Sequence, residues 1–84
     1  MTHAFFSDPA EKLLTDLAPA ERTAVESVRR SLEDDPSQGR SLPGSDSRVV
    51  ELLPDDTRGR GISVVYRFSA DLDAVLILWL IAGP

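Results

Sequence analysis

The residues best suited to chemistry in this chain are four arginines and a serine within residues 48–67: Arg48, Arg58, Arg60, Ser63 and Arg67. A guanidinium is a planar fork of donors that matches a carboxylate or a phosphate. Arg58-Gly59-Arg60-Gly61 carries two such forks on a flexible tip. Ser63 and Arg67 stand four residues apart, so a strand places both on one face. With Arg48 and Arg60 nearby in sequence, they define a candidate binding patch on the open side of a sheet. Such a patch would hold a phosphate or an acidic partner. The plainer alternative is a solvated face whose arginines pair with Glu51.

Other constellations carry less. Asp34-Asp35, Asp55-Asp56 and the Asp71/Asp73 pair are carboxylates in turn-like segments. General acid–base work needs two carboxyls in unlike environments, whereas turn pairs are equal and solvated. His3 is the only histidine and there is no cysteine. These counts leave no ligand set for a zinc-type site and no thiolate nucleophile. No metal or other cofactor is expected, and no catalytic residue can be assigned. Trp79 and Tyr66 fall in strand-like segments, where aromatic side chains usually join the core. A base-stacking platform would need those rings exposed among cations.

The net charge is −5, from 14 acidic and 9 basic residues. Affinity for polyanions rises as Lys and Arg replace counterions, so the overall field disfavours RNA and the ribosome as partners. Eighty-four residues are expected to make one domain, residues 1–84, with a small core that benefits from a protein partner. The absence of cysteine favours a reducing, cytoplasmic setting. The most apolar run, Ala74 to Ala82, is far shorter than the ~20 residues of a membrane helix, so no membrane role is expected.

The elements that must position these residues follow from the pattern. Residues 3–6 suit a short strand. Asp8 as cap, Pro9 behind it and Glu11 three further on signal a helix start. Ala10, Leu13, Leu14 and Leu17 form its apolar stripe. Pro19 opens a second helix that runs to about Glu33, with Ala24, Val25, Val28 and Leu32 on its buried side and a Glu26–Arg30 ion pair on its wet side. Asp34-Asp35-Pro36 ends it, because the residue before proline is pushed out of the α region. Residues 36–47 form a loop rich in Pro, Gly and Ser. Three strands follow: Arg48–Leu53, Ile62–Ser69 and Ala74–Ile81, the first two joined by a hairpin loop over residues 54–61. The last is apolar on both faces, which predicts a central strand covered by helices on one side. The class is therefore α+β: a short N-terminal strand, a helical hairpin, and a three-stranded antiparallel meander with helices packed on one face.

This order of elements resembles the RelE/ParE toxin superfamily of type II toxin–antitoxin systems. The resemblance rests on Leu32-Glu33-Asp34-Asp35-Pro36, Gly39-Arg40-Ser41-Leu42-Pro43-Gly44, Val49-Val50-Glu51-Leu52 and Gly61-Ile62-Ser63-Val64-Val65-Tyr66-Arg67-Phe68 with the apolar last strand. It implies a RelE-like fold, an antitoxin that wraps the protein, and one of two activities: cleavage of mRNA on the ribosome, or poisoning of DNA gyrase. The ribonuclease branch typically carries arginines where this chain has Leu53 and Ser63. Cleavage needs cations on the developing phosphorane charge. The resemblance therefore implies a toxin-family protein whose ribonuclease activity is weak or absent. The alternative is a non-enzymatic interaction module on the same fold, working as a homodimer or by capturing a peptide.

Overall fold

The computed structural model describes residues 2–83. Its elements are β1 (His3–Phe6), α1 (Asp8–Thr15), α2 (Pro19–Asp34), β2 (Arg40–Ser41), β3 (Ser47–Leu52), α3 (Pro54–Thr57), β4 (Ile62–Ser69) and β5 (Ala74–Ala82). They form one five-stranded sheet in the order β1-β5-β4-β3-β2. The expected meander β3-β4-β5 is antiparallel throughout. β1 adds to the far side of β5 in parallel, because two helices intervene between that strand and the rest of the sheet.

The helices start and stop for local reasons. Ser7, rather than Asp8, is the cap of α1: its hydroxyl accepts from the Ala10 N–H at 3.2 Å and donates to the Leu78 carbonyl at 2.9 Å. Asp8 instead lies in the first turn, where a carboxylate suits the helix dipole. α2 begins with Ala18, whose side chain cannot cap, so Glu21 reaches back to the Ala18 N–H at 2.8 Å. The expected Glu26–Arg30 pair does not form. Glu26 pairs with Arg29 instead, at 2.9 Å. Arg29 is held there because its guanidinium also donates to the Ala4 carbonyl, while Glu33 accepts from the Ala4 N–H. These two side chains satisfy backbone groups of β1, an edge strand that would otherwise invite pairing.

Three further expectations are refined. The segment 54–61 holds one short helix, α3, opened by Pro54 with Asp56 accepting from the Leu53 N–H at 2.9 Å. The loop after α2 contains the two-residue strand β2, which pairs with β3. Finally, β5 is bulged. Val65 pairs with Trp79 but Tyr66 pairs with Ile77, which leaves Leu78 as the extra residue.

The core lies between the helices and one face of the sheet. Val25, Val28 and Leu32 of α2 meet Ile62, Val64 and Tyr66 of β4 and Val75, Ile77 and Leu80 of β5. The alternation expected for β4 holds, with Ser63, Val65 and Arg67 turned away from these residues. Among the described residues no helix is long and apolar enough to cross a membrane.

Candidate functional site

Residues paired across a sheet share a face, so the register decides which side chains assemble on the uncovered side. One row runs Ser47–Arg67–Leu76–Phe5 across β3, β4, β5 and β1. The next runs Arg40–Val49–Val65–Trp79 from β2 to β5. A third runs Glu51–Ser63–Ile81. This open face is largely apolar and aromatic over β4, β5 and β1, whereas Ser47 and Val49 of β3, on the same side, are buried. Phe5 is 56% exposed, Trp79 51%, Ile81 58% and Leu76 43%. Sequence reasoning assigned Tyr66 and Trp79 alike to the core. Tyr66 is fully buried, but the β5 bulge turns Trp79 outward.

The five candidate residues do not converge. Ser63 and Arg67 stand on the open face as expected. Arg48 does not. It pairs with Tyr66, a core residue, and so points to the helix side. There its guanidinium donates to the Gly39 carbonyl at 2.7 Å and to that of Ser37 at 3.4 Å. Arg60 is also turned away. Its guanidinium donates to Glu21 at 3.2 and 3.3 Å, and its N–H donates to the same carboxylate at 3.4 Å. Arg58 is exposed at the end of α3 in the left-handed region, φ 57°. The strand-face geometry leaves Arg67 as the one candidate arginine on the open face.

Three residues that sequence reasoning overlooked explain this arrangement. Glu21 is almost fully buried, and its carboxyl is held below its ordinary value of 4.5, first by the Arg60 guanidinium and then by the Ala18 N–H. It satisfies both the start of α2 and the loop before β4. The capping pattern Ala18-x-x-Glu21 was a legible signal for the first role; only the fold supplies the second. Arg40 takes up Glu51 at 2.6 Å, replacing the Glu51 pairing expected for the candidate arginines. Gly39 lies so close to Tyr66 that a Cβ there would sit 2.8 Å from the phenol oxygen.

Tyr66 completes the loop's anchorage. Its hydroxyl donates to the Pro36 carbonyl at 2.8 Å and accepts from the Gly39 N–H at 3.0 Å. Burial pushes its pKa above the ordinary value of 10.0. Among the described residues no buried side-chain polar atom lacks a hydrogen-bond partner, and no cluster of three or more His, Asp or Glu is assembled that could hold a metal ion. The open face therefore offers apolar and aromatic contact, one unengaged guanidinium, and an Arg40–Glu51 pair at its margin.

Comparison by sequence finds no matching family model and no matching curated protein. Comparison by structure is decisive about the fold. The chain superposes on a chain of the intact E. coli RelBE toxin–antitoxin complex with a TM-score of 0.82 at 14% identity, covering 100% of this chain and 99% of that one. A chain of the RelBE2 toxin–antitoxin complex from Mycobacterium tuberculosis gives a TM-score of 0.82 at 20% identity, covering 98% of each. The isolated E. coli RelE toxin gives 0.80 at 15% identity, covering 100% of this chain and 86% of that one. The fold is that of the RelE toxins.

Proposed function

We propose that this protein is a RelE-like member of a toxin–antitoxin pair that acts through protein contact, with ribonuclease activity weak or absent. The observation that carries the reading is the separation of the arginines. Arg67 stands on the open face, while Arg48 and Arg60 are tied on the helix side to loop carbonyls and to Glu21. Phosphodiester cleavage gains most from cations preorganised around one developing charge. Leu53 and Ser63 supply none at the positions where the family resemblance expects them. Exposed Phe5, Leu76, Trp79 and Ile81 instead suit a protein partner, since aromatic anchors dominate such interfaces. The complexes that share this fold favour an antitoxin as that partner.

The same exposed residues favour a second reading, a binding module with no toxic activity of its own. Expression of the chain alone, and together with any small protein encoded by a neighbouring gene, separates the two. Growth arrest relieved by the neighbour is expected for the toxin reading. Harmless expression with a stable complex supports the module. Purified protein added to ribosomes programmed with mRNA should leave the message intact; site-specific cleavage abolished by Arg67→Ala would overturn the assignment of weak or absent nuclease activity.

A further inference from the structure

The open face also has the symmetry to receive a second copy of itself, and we infer that the isolated protein forms a face-to-face dimer through this sheet surface. The inference rests on reading the face as a protein-contact surface, and it concerns what covers that face when no other partner does. Its basis is the placement of side chains about the central pair Val65–Trp79, beside which Val49 is buried. Because Leu78 is the extra residue of the bulge, Leu76 and Ile81 lie the same number of register steps from Trp79, on opposite sides. Their β4 neighbours Arg67 and Ser63 likewise flank Val65.

A two-fold axis in the plane between two such sheets, running along the line of that pair, reverses strand direction and preserves position across the sheet. It seats Trp79 on the partner's Trp79 and Leu76 on the partner's Ile81. It also places Arg67 over the partner's Ser63, beside the partner's Glu51. Each contact then occurs twice, as an isologous interface requires. The charge distribution permits this pairing. The chain carries −5 overall, yet Glu51 is the single acidic residue at the strand positions of the three rows and is already paired with Arg40 at 2.6 Å, so the face presents Arg67 and no unpaired carboxylate to its copy.

Size is consistent too. Five strands about 4.8 Å apart and up to roughly 20–30 Å long give a face roughly 24 Å wide, and a standard interface takes about 800 Å² from each partner. The apolar residues alone are fewer than an obligate dimer would bury, so the dimer should be reversible, with a Kd in the micromolar range.

Trp79 is the only tryptophan, so its fluorescence reads the interface directly. In sedimentation, the full chain should approach twice its 9.2 kDa mass at high concentration. Dilution should return it to the monomer and shift the tryptophan emission to the red. Leu76→Ser with Ile81→Ser should weaken the dimer about a hundredfold, the scale of losing two central anchors, with far-UV circular dichroism unchanged. Trp79→Asp should do the same, and serves if the double variant folds poorly. Arg67→Glu should weaken association about tenfold, as expected for one interfacial charge reversed, and adding Ser63→Arg should restore it. A wild type that stays monomeric at about 100 µM, well above a micromolar Kd, sinks the dimer and leaves the co-expression result standing. A dimer indifferent to all these substitutions places the contact elsewhere and overturns the inference equally.

Discussion

The two faces of this sheet are built from the same strands yet face opposite tasks. On the covered side, Val64, Tyr66, Val75 and Ile77 are completely buried beneath the helices, and the polar groups there are tied down. On the open side, large apolar rings and branched chains stand half in water. Two of the four candidate arginines are taken up by structural contacts. Arg48 and Arg60 serve the covered side, where one holds the loop before β2 and the other holds α2 against the loop before β4.

The sharpest test of that contrast uses two isoleucines of one strand. Ile77→Ala on the covered side should cost about 2–5 kcal/mol, the range for emptying a packed site. Ile81→Ala on the open side should cost at most about 0.5 kcal/mol in dilute solution, as for surface substitutions generally. Denaturant unfolding of both variants decides it, and equal losses would show that the open face is not open.

A smaller effect should follow from Tyr66→Phe. The ring still fills the core, but the Gly39 N–H and the Pro36 carbonyl lose their partner. A loss of about 1–3 kcal/mol is expected for groups left unpaired in a buried site, with faster amide exchange at Gly39. An unchanged exchange rate there would mean that Arg48 alone holds the loop.

The smallest effect is confined to acid. The folded-state pKa of Glu21 lies below its ordinary value of 4.5. On lowering the pH the unfolded chain takes up the proton first. The stabilisation is therefore complete above about pH 4.5 and is lost as pH falls through the folded-state value. Denaturation midpoints of the wild type and Glu21→Gln, followed from pH 6 to pH 3, should converge at the acid end. A gap that widens in acid would reverse the assigned sign. Arg60→Gln should reduce the acid dependence that Glu21 contributes, since that guanidinium is the largest cause of its lowered pKa and the Ala18 N–H the next.

Much of this protein is dictated by local pattern. Capping and periodicity announced α1 and α2 but not the short α3, and the Pro36 stop ends α2 one residue beyond the expected Glu33. Alternation in Ile62–Ser69 correctly separated the faces of β4, because parity sets the side of the sheet, although Phe68 on the covered side is 37% exposed. With one histidine and no cysteine, composition left no thiolate nucleophile and no Cys/His ligand set for a zinc-type site. The resemblance in element order pointed to the RelE fold, which structural comparison bears out.

What the tertiary structure alone decided is which residues share a surface. β5 is apolar on both faces, so its residues carry no signal for a bulge; once Leu78 is looped out, Trp79 and Ile81 change sides and join Leu76. The direction of Arg48 depends on its register against Tyr66, and that of Arg60 on Glu21, thirty-nine residues earlier. Register and long-range pairing arise from the packing of whole elements, and a one-residue slip exchanges every side chain between core and solvent. For that reason the list of arginines was readable in one dimension, and their dispersal was not.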